Sequence, residues 1–110
     1  VYEYQAIVVA VYDGDTITAD IDLGLRVWLR GQKLRLFGID AYELKGDQAA
    51  RGRAARDYLR QLVLNRLVKL RTHRDATEKY GRWLADIYLD DGRLVNRLLI
   101  DAGHAVEYLA

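Results

Sequence analysis

Three observations predict an α+β fold that is mainly β, a five-stranded barrel with two helices. Five separate runs are apolar throughout or alternate at a period of two. Gly-containing turns interrupt the first of them at short intervals, as in a meander. Two segments, one after the third run and one near the end, change to helical spacing.

Gln5 to Tyr12 is β-branched and apolar on both parities, the pattern of a strand buried on two sides. Asp13-Gly14 is a turn signal, and Thr16 to Asp22 resumes as a strand with Ile17, Ala19 and Ile21 on one face. Leu23-Gly24 turns again, Leu25 to Leu29 is extended, and Gly31-Gln32 is read as the turn into a strand from Lys33 to Ile39. From Asp47, a plausible N-cap, to about Arg66, the residues Ala55, Tyr58, Leu59, Leu62 and Val63 follow helical spacing. The opposite face carries Arg53, Arg56, Asp57 and Arg60, most simply a solvated face. Leu67 to Thr72 and Trp83 to Leu89 are the fourth and fifth strands. A short helix from about Leu94 to Ala102 follows, with Gly103 as its C′ residue. Three strands, helix, two strands, helix is the order of a small Greek-key barrel of the oligonucleotide/oligosaccharide-binding type, the OB-fold.

A chain of 110 residues, 51% hydrophobic and 30% charged, fits one domain over 1–110 with a core of its own. It has no cysteine, which excludes disulfides and thiolate metal sites. No apolar run approaches the roughly 20 residues that span a bilayer, and no signal segment opens the chain, so no membrane partner is expected. The first residue is Val1, which is compatible with a trimmed leader. Net charge is only +1, yet thirteen of the seventeen basic residues are arginine, whose planar fork matches phosphate.

The chemistry gathers in Arg35-Leu36-Phe37-Gly38-Ile39-Asp40-Ala41-Tyr42-Glu43. On a regular strand Arg35 and Asp40 point to opposite faces, and they meet only if the pleat breaks; Gly38 permits that break. Asp15 shares the parity of the inward-facing Ile17, so its carboxylate must be paired, hydrogen-bonded or bound to a metal. Taken alone, Asp13 and Asp15 are also explained by turn chemistry. Asp13, Asp15, Asp40 and Glu43 offer only oxygen, which favours calcium or magnesium. Arg35 and Arg82, from different strands, suit a phosphodiester transition state, although each arginine by itself is more often a structural ion-pair partner. His73 and His104 lie elsewhere and are given no role.

Asp13-Gly14-Asp15-Thr16, Arg35-Leu36, Gly38 through Glu43, Lys79-Tyr80-Gly81-Arg82 with Leu84-Ala85, and Val95-Asn96 through Gly103 resemble the staphylococcal nuclease (thermonuclease) family in order and spacing. The match runs from about Ile7 to Tyr108. The resemblance implies an SNase-like OB-fold barrel and a calcium-dependent endonuclease that hydrolyses DNA and RNA with little sequence preference, leaving 3′-phosphates. It implies one Ca2+ held by Asp15, Asp40 and the carbonyl oxygen of Ala41, with Asp13 behind them. Glu43 would hold the attacking water, Arg35 and Arg82 would clamp the phosphate, Lys79 and Tyr80 would flank a terminal phosphate, and Tyr108 would stack on a base.

Some residues depart from the family pattern. Tyr42 stands where the family usually has proline, which removes a restraint on the Ala41 carbonyl. The hairpin from Asp22 to Lys33 is longer, the loop after Glu43 shorter, and the chain stops at Ala110 without the further helix of some members. The expectation is a monomeric, exported enzyme. The competing expectation is a catalytically silent barrel that binds nucleic acid or a partner. The complete set Asp15, Arg35, Asp40, Glu43 and Arg82 favours the enzyme, and the near-neutral charge argues against it, because a phosphate binder is expected to show a basic field.

Overall fold

The computed structural model describes residues 2–77 and 80–108, with side chains for all of these except 74–77. The chain runs β1 (Tyr2–Asp13), β2 (Thr16–Asp22), β3 (Trp28–Leu36), β4 (Ile39–Ala41), a 3-10 turn (Gly46–Gln48), α1 (Ala49–Val63), β5 (Leu67–Thr77), β6 (Trp83–Tyr88), α2 (Val95–Asp101) and β7 (Ala105–Glu107). Five strands close a barrel in the order β1-β2-β3-β6-β5, and β4 pairs with β7 as a separate ribbon. All barrel pairings are antiparallel except β3 with β6, where Leu34 to Leu36 run parallel to Trp83 to Ala85. The predicted OB-like, mainly β architecture with two helices is the observed one.

Alternation fills the barrel. Ile17, Ala19 and Ile21 from β2, Leu34 and Leu36 from β3, Leu70 from β5, and Ala85 and Ile87 from β6 point inward and are buried. Leu59 and Val63 of α1 and Val95 and Leu99 of α2 complete the same core. Each such Leu or Ile contributes about 1.5–3 kcal/mol by leaving water. Among the described residues no helix is long and apolar enough to cross a membrane.

Three local expectations are corrected. Gly31-Gln32 is not a turn, because β3 passes straight through it. The positive φ of Gly31, 67°, serves an irregularity in the β2–β3 ladder between Ala19 and Ile21. There the Asp20 carboxylate accepts hydrogen bonds from the Gly31 amide (2.9 Å) and the Arg30 guanidinium (3.0 Å), which hold its carboxyl below the usual range. Asp47 is not the cap of α1; it lies within the 3-10 turn, and the capping position, Gln48, makes no side-chain cap bond. The helix ends at Val63 rather than Arg66, since Leu64 is extended and Asn65 takes a positive φ of 60°. Gly103, with φ of 80°, does follow α2 as the expected C′ residue.

Candidate active site

Four pieces of chain converge beside the barrel: the β1–β2 turn, the end of β3 with β4, the start of β6, and the segment that leads from Glu43 into α1. The turn at Gly14 is not made by glycine's freedom of φ. A Cβ there would lie 2.7 Å from the Ala41 Cβ and 2.8 Å from the Ala55 Cβ, so the turn needs glycine because β4 and α1 press on it. The Asp13 side chain closes the turn by accepting the Asp15 amide at 3.0 Å. That leaves Asp15 only 6% exposed.

Asp15 is the hub. Its Oδ2 accepts the Ala41 amide at 3.0 Å and lies 3.5 Å from Arg35 Nη2. Its Oδ1 accepts the Thr16 hydroxyl at 3.2 Å, and that hydroxyl accepts Arg82 Nη1 at 3.0 Å. One carboxylate therefore meets one guanidinium directly and the other through a single buried hydroxyl.

The pleat breaks where the sequence allowed it. β3 stops at Leu36, Gly38 takes a φ of 78°, and β4 starts at Ile39. Arg35 Nη2 then donates to the Ile39 carbonyl at 3.1 Å and reaches Asp40 Oδ1 at 3.5 Å. Asn96, buried on α2, pins the break: its amide nitrogen donates to the Phe37 carbonyl (2.9 Å) and the Ala85 carbonyl (3.2 Å), and its oxygen accepts the Ile87 amide (3.1 Å). The restraint that proline at position 42 would supply comes from elsewhere. Ala41 is paired with Ala105 in the β4–β7 ribbon and is tied by its amide to Asp15.

Glu43 is held differently. Its side chain is exposed and forms no ion pair among the described residues. Its backbone is not free: the amide donates to Gln48 Oε1 at 3.3 Å, and the carbonyl lies against α1 so closely that a Cβ on Gly52 would meet its oxygen at 2.0 Å. Two tyrosines cover the arginines, Tyr108 under Arg35 (5.6 Å from guanidinium carbon to ring centre) and Tyr80 under Arg82 (5.4 Å). Lys79 lies outside the described residues.

Electrostatics at the turn point the same way as the chemistry of the donors. The Asp13 carboxyl is pushed up to about 6 by burial first, then by its hydrogen bond to and repulsion from Asp15. Acidic oxygens crowded into one partly dry corner are relieved by a cation. The donor set fits a hard ion: Asp15 and Asp40 each place an oxygen 3.5 Å from the same Arg35 nitrogen, and Ala41, at the end of β4, is tied to Asp15 by its amide. No group of three His, Cys, Asp or Glu side chains forms a metal cluster among the described residues.

Residues 33–110 match the family model described as staphylococcal nuclease homologue. The chain belongs to the staphylococcal nuclease family. An uncharacterized endonuclease of Escherichia coli O157:H7 is 37% identical over 101 residues, covering 92% of this chain and 59% of that protein. The thermonuclease of Staphylococcus intermedius is 34% identical over 84 residues, covering 74% of this chain and 46% of its own length. Endonuclease YhcR of Bacillus subtilis (strain 168) is 31% identical over 115 residues, covering 96% of this chain and 9% of its length. The chain thus spans about half the length of the first two of these relatives.

Within this nuclease-family chain, Asp15, Arg35, Asp40 and Arg82 come together as the motifs implied, with Ala41 beside them. Sequence reasoning named Gly14, Thr16, Ala55 and Asn96 but not the contacts by which they support the cluster, and it did not single out Gly52. A glycine inside a helical pattern costs about 1 kcal/mol against alanine, so Gly52 was itself a signal of close packing. His73 stacks on Phe37 at 3.6 Å and faces Asp86 at 3.4 Å, and His104 lies against Tyr58, all outside the cluster.

Proposed function

We propose that this chain is the catalytic part of a calcium-dependent nuclease that hydrolyses phosphodiester bonds of DNA and RNA with little sequence preference and leaves 3′-phosphates. The observation that carries the reading is the pair of guanidiniums on one buried carboxylate, Arg35 directly and Arg82 through Thr16, with Asp40 alongside. A binding surface needs basic and aromatic groups but not a buried acid at their centre. Relatives named endonuclease and thermonuclease support the same activity.

Asp15, Asp40 and the Ala41 carbonyl would hold the calcium ion. A divalent cation there supplies positive charge against the charge gathering on the phosphoryl oxygens. Arg35 and Arg82 donate hydrogen bonds to those oxygens, from positions fixed before substrate arrives, so little reorganisation is needed as the charge grows. Glu43 orients a water and takes its proton as the new P–O bond forms. The bond to the 5′-oxygen breaks, that oxygen takes a proton from solvent water, and the phosphate stays on the 3′ side. Neither arginine is assigned protonation of the departing oxygen, because guanidinium does not give up its proton in this range. Tyr80 would flank a terminal phosphate, and Tyr108 offers a face for a base. Asp13 supports the turn from behind and is neutralised less readily once a cation is present.

Plasmid DNA and RNA incubated with calcium, with magnesium and with a chelator test the reading. Cleavage of both with calcium, and none with the chelator, is expected. Binding without cleavage in every condition would replace the enzyme with a silent binding module.

A further inference from the structure

A third arginine–tyrosine pair stands next to the cluster and has no part in the chemistry above. The guanidinium carbon of Arg51 lies 5.3 Å from the centre of the Tyr42 ring. Tyr42 sits between Ala41 and Glu43, so the pair adjoins both the carbonyl proposed to hold the ion and the carboxylate proposed to hold the water. Arg51 is exposed, and the residue after it is Gly52, whose missing Cβ lets α1 close on the Glu43 carbonyl.

The charge of Arg51 is not balanced by the protein. Arg51 has no ion pair among the described residues, as is also true of Arg26, Arg53, Arg66 and Arg71, but of these Arg51 alone lies over an aromatic ring, that of Tyr42. Its position is also costly: it falls in the first turn of α1, where the helix dipole disfavours a cation, and no acidic residue offsets it there. A guanidinium held on a ring, unneutralised and beside a phosphate-cleaving cluster, is matched to an anion that arrives with the substrate.

We infer that Arg51 and Tyr42 form a subsite for a single-stranded nucleic acid, Arg51 contacting the phosphate of a nucleotide next to the one being cut and Tyr42 stacking on its base. The inference rests on the nucleic-acid reading of the same site but not on cleavage. Bases stack on tyrosine regardless of sequence, so the subsite would add affinity for longer strands without adding sequence preference.

The test separates the two. Fluorescence anisotropy of a labelled single-stranded DNA ten-mer, with chelator so that nothing is cut, measures affinity across a salt series. Arg51→Ala is expected to weaken binding about tenfold and to reduce the slope of log K against log salt by about 0.7, the share of one single-strand phosphate. Tyr42→Ala is expected to weaken binding and leave that slope unchanged, and Tyr42→Phe to restore the affinity. Thermal unfolding of Arg51→Ala should be unchanged or slightly raised, because a cation leaves the helix N-terminus. Wild-type affinity and slope in Arg51→Ala, or no binding of the ten-mer by the wild type, would overturn the subsite. Binding that follows these expectations, in a protein that cuts nothing with calcium, would overturn the nuclease and keep the subsite.

Discussion

The Asp13–Thr16 turn and the Tyr42–Gln48 segment both serve the cluster, and they are built in opposite ways. In the turn the side chains are fixed: Asp15 is buried and bonded at both oxygens, and Thr16 links it to Arg82. In the segment the backbone is fixed and the functional side chain is not, since the Glu43 carbonyl is locked against Gly52 while its carboxylate stands in solvent. Groups that must present charge at constant positions are held by hydrogen bonds that the fold completes. Glu43, the proposed proton acceptor, is held only by its main chain. On the proposed mechanism the contrast would put electrostatic preorganisation on one side of the cluster and proton traffic on the other.

The largest effect expected from this division is at Glu43. Glu43→Ala should lower kcat by about a hundredfold or more while Tm stays as in the wild type, since no packed contact is lost. Steady-state kinetics with calcium, beside a thermal melt, check it, and undiminished cleavage would remove Glu43 from the mechanism. Gly52→Ala sharpens the same contrast, because it moves the locked backbone and deletes no functional group. The added methyl cannot coexist with the Glu43 carbonyl, so despite the better helix propensity of alanine a net loss of about 1–3 kcal/mol is expected. Activity should fall even where the variant is fully folded. A variant with unchanged Tm and kcat would show that the lock is dispensable.

The smallest effect concerns the turn. A carboxyl raised from 3.8 to about 6 favours the protonated form in the folded state, so the stability it contributes is complete below 3.8 and is lost as pH rises through about 6. With chelator present, denaturant melts of the wild type should therefore lose stability between about pH 4 and 6 and level off above that. Asp13→Asn should flatten that dependence and be the more stable of the two at pH 7. Equal pH slopes in the two proteins would place the strain elsewhere.

Much of this arrangement was legible in residue order. Parity on β3 showed that Arg35 and Asp40 needed a break, and Gly38 supplied it, because both facts are local to nine residues. The inward parity of Asp15 likewise announced a carboxylate that required partners. What those partners were was not legible. The Ala41 amide and the Thr16 hydroxyl depend on packing between elements distant in the chain, and Gly14 and Gly52 are glycine for reasons that lie on other elements. Gly31 misled for the same reason: a positive φ reads as a turn in isolation, and only the facing Asp20 makes it a ladder irregularity. β4 and β7 have three residues each, too few to show any period.

The ribbon of β4 and β7 has a consequence for biogenesis. Asp40 faces Val106 across that ribbon, and the Tyr108 amide donates to the Gly38 carbonyl, so the strand that presents Asp40 is completed by a segment that follows every acid and arginine of the cluster in the chain. A growing polypeptide therefore holds every acid and arginine of the cluster before it holds their geometry.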